Sequence, residues 1–214
     1  MPELTEKILD LLPQTQCGRC GFNDCESYAM TIANGQAPIN RCATGGQKGI
    51  DQLASLLGIE PQPLDTTYGE EGPWQVATIN EENCIGCTIC IRMCPADAII
   101  GANRMMHTVF TDYCTGCGVC IPRCPLDAIT LHPVSGNHTG WDAWSKEEAQ
   151  NARIRYERKQ ARLARNKAGN IKGADETLST NENDAARKKT IVERAIERAR
   201  KRLKDYGIKP SAMR

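Results

Sequence analysis

Two runs of cysteine fix most of what this chain can fold into. The first reads Cys84-Ile-Gly-Cys87-Thr-Ile-Cys90-Ile-Arg-Met-Cys94-Pro95. Thirty residues on comes Cys114-Thr-Gly-Cys117-Gly-Val-Cys120-Ile-Pro-Arg-Cys124-Pro125. Each is Cys-x2-Cys-x2-Cys-x3-Cys-Pro, a spacing that holds [4Fe–4S] clusters. Two complete copies at a fixed offset leave little room for coincidence.

A cubane cluster needs four thiolates at its iron corners. Three closely spaced cysteines reach three corners from one loop. The fourth, just before proline, starts a helical segment and points away, so it ligates the other cluster, as in a bacterial two-cluster ferredoxin. The expected sets are therefore Cys84, Cys87, Cys90 and Cys124 on one cluster, and Cys94, Cys114, Cys117 and Cys120 on the other. Gly86 and Gly116 stand where the backbone must pass close to sulfur. Pro95 and Pro125 suit a first helical position, where no amide donor is lost. The copies also agree beyond the ligands, in Cys94-Pro-Ala-Asp-Ala-Ile and Cys124-Pro-Leu-Asp-Ala-Ile, which implies two halves related by a pseudo-twofold. Zinc sites favour separate Cys-x2-Cys knuckles over runs of four ending in proline.

A third group lies upstream: Cys17, Cys20, Cys25 and Cys42, spaced Cys-x2-Cys-x4-Cys-x16-Cys. Four thiolates without a nearby histidine suit zinc or a [4Fe–4S] cluster, and the company of two ferredoxin runs favours the cluster. The twelve cysteines thus fall into three fours, with no spare thiol for a disulfide. With 2 Phe, 3 Trp and 5 Tyr in 214 residues, the apolar core must be small, and clusters would act as staples as well as redox centres. The start, Met1-Pro-Glu-Leu-Thr-Glu-Lys, lacks a basic run followed by an apolar one, and no apolar stretch is long enough to span a bilayer. A reducing cytosol is the expected compartment, with peripheral attachment at the inner face of the cell membrane as a variant.

The expected architecture is α+β: a helical [4Fe–4S] module at 1–57, a linker at 58–73 rich in Pro, Gly and acid, a two-cluster ferredoxin domain at 74–144 and a basic helical tail at 145–214. Periodicity predicts helices over 3–12, stopped by Pro13, over 26–34 and over 47–57. Strands are expected at 74–79, 104–111 and 129–132. His107 and His132 fit no ligand pattern and read as strand residues. Met105 and Met106 read as packing, and Trp141 and Trp144 as a clip onto the ferredoxin or a partner contact.

The tail opens on a capping box, Ser145 with Glu148, predicting a helix from about Lys146 to Lys167. A loop over 169–183 and a second helix over 184–206 should follow, striped by Val192, Ile196, Ala199, Leu203 and Tyr206. The net charge of +1 conceals an asymmetry. Residues 1–145 hold 7 basic and 16 acidic side chains, a net −9, whereas residues 146–214 hold 20 and 10, a net +10. Such a tail reads as a solvated helical hairpin, or as a contact for an acidic protein or anionic membrane surface. Nucleic acid is the least supported partner, since no reading motif accompanies the basic residues.

Several stretches together resemble one family: Leu11-Leu-Pro-Gln-Thr-Gln-Cys17-Gly-Arg-Cys20-Gly, Ile39-Asn-Arg-Cys42, Gly45-Gly46, Glu60-Pro-Gln-Pro-Leu-Asp, Asn83-Cys-Ile-Gly-Cys-Thr and Met106-His-Thr-Val. The family is the B subunit of the Rnf/Rsx electron transport complex. The resemblance spans residues 6–132. It implies a [4Fe–4S] module at Cys17, Cys20, Cys25 and Cys42 ahead of a 2[4Fe–4S] ferredoxin, three clusters in all. It also implies electron transfer within a membrane oxidoreductase that couples ferredoxin and NAD chemistry to ion movement. Such subunits typically carry a membrane-spanning helix before the first module. Here 16 residues precede Cys17, so a soluble variant with an added basic tail is expected. No Gly-x-Gly-x-x-Gly run is present, and no catalytic residues of its own are expected. The expected function is a carrier of single electrons between partners such as a reductase, a dehydrogenase or Rnf-like subunits. Alternatives are a fixed subunit of an Rnf-like ion-translocating complex and, remotely, a nucleic-acid-associated iron–sulfur protein.

Overall fold

The computed structural model describes residues 2–178. Helix α1 (Pro2–Leu9) buries Ile8 and Leu9 and unwinds through a tighter turn, Leu12 N–H donating to Leu9 O (3.1 Å), before Pro13 ends it. Helix α2 (Cys25–Ala33) starts where Asp24 accepts from Ser27 N (2.7 Å), an N-cap of the usual kind. Helix α3 (Gly46–Leu57) closes on Gly58 in the left-handed region, with Ile59 N–H returning to Ala54 O (3.1 Å). Ile8, Leu12, Tyr28, Ile32, Ile50 and Leu53 form the core between these helices. Tyr28 keeps its phenol satisfied there by donating to Pro38 O (2.8 Å) and accepting from Arg41 N (3.1 Å).

The expected linker at 58–73 is laced to its neighbours. Asn40 Nδ2 donates to Pro63 O, and Leu64 N to Gln47 Oε1. Glu71 accepts from both Gln47 N and Thr139 Oγ1.

Strand β1 (Gln75–Ile79) enters the first cysteine run, followed by the short helix α4 (Ile89–Met93). Strands β2 (Ile99–Ile100) and β3 (Thr108–Val109) pair antiparallel, and β4 (Ile129–Pro133) returns antiparallel to β1, in register from Gln75↔Pro133 to Ile79↔Ile129. The strand expected over 104–111 is only β3. Residues 103–105 turn instead, with Arg104 at φ +62° and its N–H donating to Gly86 O (2.9 Å). The second run replaces α4 with a 3-10 turn, Ile121–Arg123. Pro122 stands where Arg92 makes an α-helical bond to Thr88 O, and proline has no N–H to make it. The two small sheets pack Ala77, Ile79, Ala98, Ile99 and Ile129 against the cysteines. The architecture is α+β, as the sequence predicts.

Helices α5 (Gly140–Ala143) and α6 (Lys146–Leu178) complete the described elements. The capping box forms: Ser145 Oγ accepts from Glu148 N (3.1 Å), and Glu148 Oε2 accepts from Ser145 N (2.8 Å). Helix α6 runs through Gly169, where the sequence predicts a loop; a lone glycine costs only about 1 kcal/mol in a helix. The helix expected at 184–206 lies outside the described residues.

The described residues up to Ala161 form one compact unit, and a second begins at Arg162. The first unit therefore extends beyond the 144/145 boundary expected from sequence. Within it, Ala149 and Ala152 of α6 are buried beside Trp144, whose ring stacks on Trp74 at 3.8 Å and whose indole N–H donates to Pro13 O (3.0 Å). Trp144 is thus a clip, and it reaches the N-terminal module as well as the ferredoxin.

Candidate iron–sulfur centres

In the N-terminal module, Cys17 and Cys20 lie in the loop before α2, Cys25 is its first residue, and Cys42 comes just after a 3-10 turn at Ile39–Arg41. Two buried glutamines shape this loop. Gln16 Oε1 accepts from Cys25 N (2.8 Å) and its amide donates to Gln14 Oε1 (3.2 Å). The four thiols feel one another. Burial pushes the Cys25 thiol up to about 12, with Cys17 and Cys20 adding like-charge repulsion. Burial also holds Cys42 well above the ordinary thiol range, with Cys25, Cys17 and Cys20 contributing.

In the ferredoxin domain the runs sort crosswise. Burial raises Cys117 to about 11 and Cys120 to about 12, and both feel Cys94 and Cys114. Cys94 thus lies near enough to the second run for its charge to be felt there. Reciprocally, Cys124 lines one pocket with Cys84, Cys87 and Cys90. The backbone repeats with the sequence: Gly86 and Gly116 have φ +69° and +63°, Thr88 and Gly118 +61° and +72°, Asp97 and Asp127 +50° and +49°. A Cβ on Gly86 would sit 2.4 Å from Met105 N, so the loop can pass there only as glycine.

Three backbone amides aim at sulfur: Ala77 N–H to Cys114 (3.3 Å), Ala98 to Cys94 (3.2 Å) and Ala128 to Cys124 (3.3 Å). The last two occupy equivalent places in the repeat. Such donors favour thiolate over thiol, the form that binds iron. Donor type and directed amides both fit [4Fe–4S] ligation. Among the described residues no three His, Cys, Asp or Glu side chains close on one point as a single-ion site would require.

Two residues without a ligand spacing in the sequence lie against the cysteines. His107, expected as an ordinary strand residue, is 1% exposed, with Nδ1 3.3 Å from Cys90 Sγ. With Cys90 as a ligand thiolate, which can only accept, Nδ1–H would be the donor of this contact. The ring is admitted by Gly101, whose Cβ would stand 2.3 Å from His107 Cδ2. Lys159, from the expected tail, is buried beside Cys94. No signal in the sequence could have revealed either contact. His132 is an exposed strand residue, as expected, held by Thr130 Oγ1 (3.0 Å).

Paired, crosswise cysteine sets on a small repeated α+β scaffold define a dicluster iron–sulfur protein, with a further four-cysteine module ahead of it. Residues 77–131 match the family described as "4Fe-4S dicluster domain", and residues 12–43 the family described as "Putative Fe-S cluster". The chain is similar to proteins named as the B subunit of an ion-translocating oxidoreductase complex. It is 56% identical to that of Thiobacillus denitrificans over 51% of this chain and 58% of the relative. It is 55% identical to those of Serratia proteamaculans and Escherichia coli, over 64% of this chain and 72% of each relative. The chain belongs to this B-subunit family. It spans 58% of the length of the Thiobacillus relative. Among the described residues no helix is long and apolar enough to cross a membrane.

Proposed function

We propose that this chain holds three [4Fe–4S] clusters and passes single electrons as the iron–sulfur subunit of an ion-translocating oxidoreductase complex, attached peripherally to the membrane's inner face. The ligand sets are Cys17, Cys20, Cys25 and Cys42; Cys84, Cys87, Cys90 and Cys124; and Cys94, Cys114, Cys117 and Cys120. The observation that carries this reading is that Cys124 lines one pocket with Cys84, Cys87 and Cys90 while Cys94 acts on Cys117 and Cys120, a crossing that a disulfide or single-ion scheme does not need. When bound, each cluster accepts and returns one electron.

The chain's own residues arrange the route. Thr115, inside the Cys114–Cys117 loop, is buried and donates to Thr15 O (3.2 Å), two residues before Cys17. The N-terminal set therefore abuts the Cys94 set, and the Cys84 set is the far end. That far end has exposed Ile85 and Leu126 around it and Met105 against its loop, a face suited to a partner's cofactor.

The test is anaerobic reconstitution with iron and sulfide analysis and EPR-monitored titration. Full-length protein should show three one-electron centres. Cys42→Ala should lose one cluster's worth of iron and spare the ferredoxin pair. Tight zinc at the N-terminal set, or loss of every centre from that variant, would sink the three-cluster reading. Capture from membranes together with other components of the complex is the expected outcome for the assembly. Recovery with a soluble reductase would point to a free carrier.

A further inference from the structure

The two cysteine runs are near-copies, so the sites they build start out equivalent. Helix α6 breaks that equivalence at one of them. Lys159 leaves α6 with a side chain 5% exposed and meets the C-terminal end of α4. Its ammonium donates to the carbonyl oxygens of Ile91 (3.3 Å), Arg92 (3.0 Å) and Cys94, and Asp97 Oδ1 stands at 3.3 Å. Burying an ammonium is costly unless its donors are met, and here three carbonyls and one carboxylate meet them. Among the described residues no cation is seated against the matching carbonyls of Ile121, Pro122 and Cys124. The device is thus specific to the Cys94 side of the repeat.

We propose that Lys159 is a positioning residue that raises the reduction potential of the cluster held by Cys94, Cys114, Cys117 and Cys120 and leaves the Cys84 set untouched. The inference rests on the three-cluster reading above. An arriving electron adds one negative charge to the centre. A fixed cation nearby, away from water, stabilises that reduced form more than the oxidised one. Asp97 offsets part of the effect. Because the same set abuts Cys17 through Thr115 and Thr15, the bias acts on the centre through which the N-terminal set communicates.

The experiment is an EPR-monitored redox titration, with iron counts, of full-length reconstituted Lys159→Gln, Lys159→Arg and Asp97→Asn. Lys159→Gln should keep its iron and lower one midpoint alone. Lys159→Arg should restore that midpoint. Asp97→Asn, which keeps the side-chain shape and tolerates the left-handed backbone at this position, should raise it. Full iron with no midpoint moved, or all midpoints moved together, overturns the proposal. So does loss of one cluster's worth of iron from Lys159→Gln, which would make Lys159 a strut. Should Lys159→Gln fail to fold, an unmoved midpoint in Asp97→Asn overturns it. Wild-type protein with fewer than three centres would instead sink the reading beneath it.

Discussion

The smallest determinants here are atoms that must be missing. Gly86 has its φ at +69° and the backbone of Met105 2.4–2.6 Å from where a Cβ would be. Gly86→Ala should destabilise the fold by about 1–3 kcal/mol and cost the iron of the Cys84 set, while an intact N-terminal signal shows the damage is local. His107→Phe fills a similar volume but removes the donor to Cys90. Iron content should hold, and the midpoint of the Cys84 set should fall in a redox titration. These glycines are legible in the sequence because the cysteine spacing dictates where the loop turns. His107 is not, because its contact with Cys90 depends on how the turn at 103–105 folds over the first loop.

At the scale of elements, α6 is the surprise. The capping box announces its start, but nothing in its charge-rich sequence announces that its first turns clasp two modules. Arg153 bonds Glu6 of α1 and Asp10 just beyond it at 2.9 and 3.0 Å, Tyr156 donates to Asp24 at 3.2 Å, Arg155 lies over the Tyr113 ring, and Lys159 holds the end of α4. The partners of Arg153 are exposed, so each pair contributes little alone. The clip at Trp144 contributes more. Trp144→Ala should lower unfolding stability by about 3–5 kcal/mol in a denaturant titration, because a buried stacked ring is lost and Pro13 O goes unpaired. Tyr156 supplies a pH signature. Burial, with the Asp24 carboxylate assisting, lifts its phenol from 10 to about 12. Its contribution is therefore complete below pH 10 and lost as pH rises toward 12. Tyrosinate absorbance should show one fewer late-titrating group in Tyr156→Phe. The short strands β2 and β3 are beyond reading for a different reason. Two residues carry no periodicity, and only the pairing makes them strands.

For the molecule as a whole, the acidic and basic halves of the sequence do not coincide with the structural division. The compact unit ends at Ala161, inside the basic region. A chain stopped after Ala161 should keep its full iron content and unfold at the same denaturant midpoint as the longer chain. On vesicles rich in anionic lipid the two should part, the longer chain sedimenting with the lipid and the shorter staying in solution, if the basic residues serve membrane attachment. The fold class and the iron–sulfur character are legible because iron–sulfur ligation imposes its own spacing on sequence. Contacts that join the modules are not, since they arise between residues far apart in the chain.

The antiparallel pairing of β1 with β4 brings the entrance and exit of the dicluster domain side by side, with Val134 N–H donating to Trp74 O (2.8 Å). A domain whose two ends meet behaves as a cassette: it can be spliced into a longer polypeptide without prying its neighbours apart. The segments before and after it are delivered to the same doorway. That is why Pro13 and Trp144, 131 positions apart in sequence, share a hydrogen bond. It also explains how one helix after the cassette can fasten a module that comes before it.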